Sequence, residues 1–104
     1  MHPLLFLLLF TSFALTLMAA EEVDAEREPK WNYATGGSVH TNAISADGEY
    51  IAAGSDDNKV YLFDKDSNTP LWSYQTGSNV RSVAISADGK YITAGSVDNR
   101  VYLF

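Results

Sequence analysis

The chain contains no cysteine. That absence excludes a disulfide framework, thiol catalysis, zinc–thiolate sites and a lipidated cysteine anchor. Small exported domains often depend on disulfides, so any stability here must come from packing and hydrogen bonds. Cations are also scarce, with 7 Lys and Arg against 13 Asp and Glu, for a net charge of −6. The cations are scattered singly. No basic stripe exists to neutralise phosphates, so nucleic acid is not an expected partner. The acidic balance serves solubility. Histidine is limited to His2 and His40, so His40 stands alone beyond the N-terminal region.

What is present begins with an apolar run. Residues 3–20 (PLLFLLLFTSFALTLMAA) carry no charge. A run of that length and place reads as a secretory signal or a membrane anchor. The usual positive segment ahead of it is missing. Val23 at −3 and Ala25 at −1 give a plausible cleavage site. Sites after Ala19 or Ala20 place Leu17 or Met18 at −3 and fit the small-residue rule less well. The expectation is an exported protein, secreted or anchored through residues 3–20 with the rest outside the cytoplasm. Residues 21–28 form an acidic linker, and residues 29–104 form the repeat region.

That region is an internal duplication. Residues 29–63 return at 70–104 without insertion or deletion, and 23 of the 35 aligned positions are identical. Trp31 returns as Trp72, ISADG at Ile44 as ISADG at Ile85, and VYLF at Val60 as VYLF at Val101. The offset is 41 residues throughout. An all-β repeat of about 40–45 residues is the signature of a β-propeller blade.

Polar and apolar residues alternate in short stretches bounded by turn signals, which predicts eight strands. They are 30–35, 39–45, 50–54, 59–63, 71–76, 80–86, 91–95 and 100–104. Naming the strands of a blade a to d from the axis outward, the order is d, then a-b-c-d, then a-b-c. The expected fold is all-β, a partial propeller of two four-stranded antiparallel blades after an apolar N-terminal segment. Asp47-Gly48 and Asp88-Gly89 sit where tight turns need a positive φ, so Gly48 and Gly89 are expected to be structural. Two blades do not close a ring, since propellers have about 4–8. A homo-oligomer, or continuation in a longer chain, is therefore expected.

Leu62–Trp72 (LFDKDSNTPLW) resembles the tryptophan-docking motif of pyrroloquinoline-quinone-type propellers. Asp64 and Trp72 fall on the motif's Asp and Trp, while Leu62, Ser67, Asn68 and Thr69 depart from it. Val83–Ser96 (VAISADGKYITAGS) resembles the start of a WD-repeat blade, although Phe63-Asp64 stands where that family has Trp-Asp. The resemblance implies that Trp31 and Trp72 pack between adjacent blades, and Asp64 is expected to be structural, at the c–d turn. It does not carry an activity.

Candidate chemistry is thin. Asp64-Lys65-Asp66-Ser67-Asn68 begins like a calcium loop, but Thr69 and Gln75 stand where Gly and a bidentate Glu are needed. Asp56-Asp57-Asn58 and Val97-Asp98-Asn99 suit turn geometry better than acid–base work. His40 aligns with Arg81 and reads as a rim residue. No Ser/His/Asp set, phosphate loop or cofactor site is expected.

The differences between copies are informative. The a–b turn is nearly invariant (SADGE, SADGK), whereas His40/Arg81, Asn42/Val83 and Asp56/Val97 differ. So do Gly37/Ser78, Ser38/Asn79 and Thr41/Ser82. Most of these lie at the d–a and b–c connections, which leave a blade on one side. Variation on a rigid scaffold is where binding usually resides. His40, Asn42, Asp56 and Arg81 therefore define a candidate binding face. The expected function is non-catalytic binding or scaffolding. A truncated piece or subunit of a quinone-dependent oxidoreductase, and a gene fragment without activity of its own, remain alternatives.

Overall fold

The computed structural model describes residues 27–104. The apolar run at 3–20 and the cleavage site at Val23/Ala25 lie outside the described residues. Among the described residues no helix is long and apolar enough to cross a membrane.

Seven strands form in chain order. They are β1 (Val39–Ile44), β2 (Tyr50–Ser55), β3 (Lys59–Asp64), β4 (Trp72–Gln75), β5 (Val80–Ile85), β6 (Ile92–Ser96) and β7 (Val101–Leu103). They make two antiparallel sheets, β1-β2-β3-β4 and β5-β6-β7. Every neighbour in a sheet is also a neighbour in sequence, as in a propeller blade. The first sheet is a whole a-b-c-d blade and the second is a-b-c. The architecture is the expected partial propeller.

One expected strand differs. Residues 30–35 run without a ladder and join neither sheet. Their alternation was legible, but a strand also needs a partner for its backbone groups. Their side chains still pack as a d strand would. Trp31 lies 5.2 Å from Phe63, and Tyr33 lies 5.5 Å from Tyr61 and 5.3 Å from Phe63. Forty-one residues on, Trp72 lies 4.9 Å from Phe104, and Tyr74 lies 5.7 Å from Tyr102 and 5.3 Å from Phe104. The first segment thus sits on the first blade as β4 sits on the second.

The main core lies between the two sheets. Ala52, Val60 and Leu62 of the first meet Val80, Ile92 and Ala94 of the second, with Trp72, Tyr102 and Phe104 at the margin. Strand period explains the choice. Val60 and Leu62 point to one face of β3, and Tyr61 and Phe63 to the other. Gly54 is required at this contact. A Cβ there would stand 2.5 Å from Val80 Cγ1 and 2.9 Å from Thr41 Cγ2. Two hydrogen bonds tie the blades, one at the inner strands and one at the a–b turns that follow them. Val83 N–H donates to Thr41 Oγ1 at 3.2 Å, and Ala46 N–H donates to the Ala87 carbonyl at 3.1 Å.

Candidate binding face

The tight turns are built the same way in both copies. Gly48 and Gly89 have φ of +73° and +75°, in the left-handed region where a Cβ is disfavoured. Gly48 N–H donates to the Ser45 carbonyl and Gly89 N–H to that of Ser86, each at 2.9 Å. Ser45 and Ser86 hydroxyls donate to Asp47 and Asp88 at 2.5 and 2.8 Å. The Ser45 hydroxyl and then the Glu49 amide hold the Asp47 carboxyl below the usual carboxylate range, and the Lys90 amide and then the Ser86 hydroxyl do the same for Asp88. These turns satisfy their own polar groups and differ between copies only at Glu49/Lys90.

The c–d turn lies at the same end, where Lys65 N–H donates to the Glu49 carbonyl at 2.9 Å. Asp64 opens this turn. Its Oδ1 accepts the Asp66 N–H at 2.9 Å. The calcium-loop resemblance dissolves here, since Asp66 pairs with Lys65 Nζ at 2.9 Å. Among the described residues no group of three or more His, Asp or Glu side chains is placed to hold a metal ion.

The opposite end carries the d–a and b–c connections, hydrogen-bonded to each other. Asp56 N–H donates to the Ser38 carbonyl at 2.8 Å, and Val97 N–H to that of Asn79 at 2.9 Å. Asp57 and Asp98 stitch the two connections together. Asp57 accepts the N–H groups of Gly36 at 3.0 Å and Lys59 at 2.9 Å. It also accepts the Tyr61 hydroxyl. Asp98 accepts Gly77 and Arg100 N–H, each at 2.9 Å, and the Tyr102 hydroxyl at 2.5 Å. Partial burial works against ionisation of Asp57, but these donors outweigh it and hold its carboxyl below the ordinary value. Tyr61 is pushed up by burial and by the bond to Asp57. For Asp98 the Tyr102 hydroxyl is the chief cause of the same lowering, and Tyr102 is raised in return. Asn58 and Asn99 take φ of +72° and +71°, the turn role expected of them. Sequence reasoning missed Tyr61, Tyr102, Gly36 and Gly77 as partners. The signal was D-N-K/R-V-Y, repeated intact with the Tyr four places after the Asp.

The candidate residues sit around this stitching. In the β1–β2 ladder Val39 pairs with Ser55 and Thr41 with Gly54, leaving His40 as the extra residue of a β-bulge. Val80 pairs with Ser96 and Ser82 with Gly95, so Arg81 is the bulged residue of the second blade. Bulges re-aim side chains and are common beside functional sites. The bulge brings two candidates together, since His40 Nε2 donates to Asp56 Oδ2 at 2.7 Å. Asp56 Oδ1 is shielded and has no hydrogen-bond partner among the described residues. In the second blade the matching pair is Arg81 and Val97, both exposed. Asn42 is exposed on β1, two residues past the bulge.

Trp72 lies at the contact between the two sheets, whereas Trp31 packs on the outer face of the first blade alone, and both are only half-buried. Trp31 Nε1 donates to the Lys65 carbonyl at 2.8 Å, pinning the first segment to the c–d turn.

No curated protein matches this chain. A family model described as the cytochrome D1 heme domain matches residues 12–100, most of the chain. That family is built on an eight-bladed β-propeller. The two sheets, their strand order and their face-to-face packing agree with it, and the chain belongs to the cytochrome D1 heme domain family.

Proposed function

We propose that this chain is a non-catalytic, exported propeller module that works by binding through the face carrying the d–a and b–c connections. One observation carries the reading. Both bulged residues, His40 and Arg81, differ between otherwise near-identical blades, and each stands beside a position that also differs, Asp56 or Val97. At the other end the a–b turns differ only at Glu49/Lys90. A rigid scaffold with side-chain variation on one side is the usual arrangement of a recognition surface. At the level of motif, the blades are of a mixed type, with a pyrroloquinoline-quinone-like c–d turn and a WD-like a–b hairpin.

A haem site does not fit the described residues. The one histidine among them, His40, has its Nε2 hydrogen-bonded to Asp56. The aromatic side chains that could sandwich a macrocycle are packed on one another at the blade faces, Trp31 tilted against Phe63 and Trp72 against Phe104 among them. Fold membership does not transfer the family's chemistry. The reading therefore includes no redox step, and purified protein should show no dye-linked alcohol or sugar oxidation with added quinone and calcium.

The test is a binding screen of the full chain on arrays of glycans and peptides. Any ligand found is then measured against His40→Ala, Asp56→Ala and Arg81→Ala, with Glu49→Ala at the opposite end as control. Loss on the first three and retention on the control supports the reading. Equal affinity in all four variants sinks it. Export is tested separately in the native host by mass spectrometry. A new N-terminus near Glu26, or an intact chain in the membrane fraction, is the expected result. An intact Met1 chain in the cytosol would contradict it.

A further inference from the structure

In each blade the bulged residue of the inner strand and the first residue of the b–c turn occupy matching places. In the first blade they are His40 and Asp56, and His40 Nε2 donates to Asp56 Oδ2 at 2.7 Å. In the second they are Arg81 and Val97. The backbone around the two pairs is the same. Val39 pairs with Ser55 as Val80 pairs with Ser96. Asp56 N–H donates to the Ser38 carbonyl at 2.8 Å, as Val97 N–H donates to that of Asn79 at 2.9 Å. The first pair satisfies its own cationic member. The second does not, because a valine side chain offers no acceptor. Arg81 is exposed and takes part in no ion pair among the described residues. We propose that Arg81 binds a carboxylate group of the ligand, an inference that rests on the binding-face reading above.

The acids at this end are already used by the fold. Asp57 accepts the Gly36 and Lys59 amides and the Tyr61 hydroxyl. Asp98 accepts those of Gly77 and Arg100 and the Tyr102 hydroxyl. Asp56 holds His40 with one oxygen, and its other oxygen is shielded. The place of Arg81 is open whether or not a blade packs on its sheet. His40, at the same place, is exposed although the second sheet packs on the first, where Val83 N–H donates to Thr41 Oγ1 directly after it.

The chemistry of the group selects its partner. A guanidinium is planar and permanently charged, and its paired N–H donors match the two oxygens of a carboxylate. Phosphate would also fit the fork. Here, however, the negative charges of Asp56 and Asp98 stand at the same end as Arg81, and like charges oppose a doubly charged group more than a singly charged one. The first blade, with its histidine neutralised from within, leaves no such cation at its bulge. The two blades therefore differ in kind, and Arg81 is the residue that sets specificity for an acid.

The experiment titrates the full chain, labelled with 15N, with sodium acetate against sodium chloride at matched ionic strength. The Arg81 Nε–H resonance should shift saturably with acetate alone. Inorganic phosphate, at a pH where it is the dianion, should bind more weakly. Acetyl-dialanine, a carboxylate at a chain end, is run beside acetate, a free acid, and tighter binding of either names the source. Affinity in variants is read on the acetate methyl by saturation transfer. Arg81→His with Val97→Asp gives the second blade the pair that the first already carries, so the fold tolerates it. It should weaken acetate about tenfold with circular dichroism unchanged. The reverse exchange, His40→Arg with Asp56→Val, should add a second arginine Nε–H resonance that responds to acetate. Lys90→Ala, which removes an exposed cation at the opposite end, should leave affinity unchanged. The proposal is overturned by an Arg81 resonance indifferent to acetate, by equal affinity after the first exchange, or by no added response after the second. Phosphate binding more tightly than acetate overturns it too. An array ligand without a carboxylate that is lost on His40→Ala, Asp56→Ala and Arg81→Ala would overturn this inference while leaving the binding face standing.

Discussion

The Tyr102 hydroxyl donates to Asp98 Oδ2 at 2.5 Å, and Tyr61 makes the same bond to Asp57 one repeat earlier. Each aspartate also takes an amide from the d–a connection, Gly77 or Gly36. One carboxylate therefore fixes strand c, the b–c turn and the incoming chain together. A hydrogen bond to a charged group contributes about 1.5–3 kcal/mol, and partial exposure reduces that. Asp57→Ala should cost about 1–2 kcal/mol in urea denaturation, and Tyr61→Phe about 1 kcal/mol. An unchanged midpoint in both variants would show that the stitching does not hold the fold.

The same groups set the pH dependence. Asp57 and Asp98 titrate below the ordinary value of about 3.9 when folded. Between the folded and unfolded values the unfolded chain binds more protons, so stability there rises with pH. Their contribution is complete above about 3.9 and is lost as pH falls through the folded values. Tyr61 and Tyr102 are raised above about 10, so their contribution is complete below that and is lost as pH rises through the folded values. Thermal melts should show a plateau between these limits. Asp57→Asn combined with Asp98→Asn should flatten the acid limb.

How far the sequence could be read follows from what each feature needs. The turns were legible because Gly48, Gly89, Asn58 and Asn99 answer a local backbone demand, and all four have positive φ. The placement of the d–a and b–c connections on one side was legible from strand order alone. The His40–Asp56 bond was not. It spans 16 residues and depends on a bulge, and a bulge exists only in the register between two strands. Segment 30–35 shows the same limit from the other direction. Its side-chain alternation is local, but its ladder depends on a neighbour.

Tryptophan burial yields the next expectation. A fully buried Trp replaced by Ala costs about 3–5 kcal/mol. Trp72 is half-buried against Phe104, so Trp72→Ala should cost about 2 kcal/mol. Trp31→Ala removes a comparable contact and the bond to Lys65 as well. It should loosen residues 30–35 first, visible as faster amide exchange there than in β1–β4. A Trp72→Ala chain with an unchanged melt would rule out the packing role.

The two D-G turns separate backbone strain from crowding. Gly48 and Gly89 share φ within 2°. A non-glycine residue in this region costs about 1–2 kcal/mol at either site. Their surroundings differ. A Cβ on Gly48 meets nothing within 4 Å, whereas one on Gly89 stands 2.4 Å from Tyr50 Cδ2. Tyr50 starts β2 and packs against the main core, so it yields only by leaving that contact. Overpacking of this kind costs about 1–3 kcal/mol more. Gly89→Ala should therefore destabilise the protein more than Gly48→Ala in matched denaturation curves. Pairing Gly89→Ala with Tyr50→Ala should recover the difference beyond what Tyr50→Ala loses alone. Equal losses from the two glycine substitutions would mean that Tyr50 of the first blade does not rest on the a–b turn of the second.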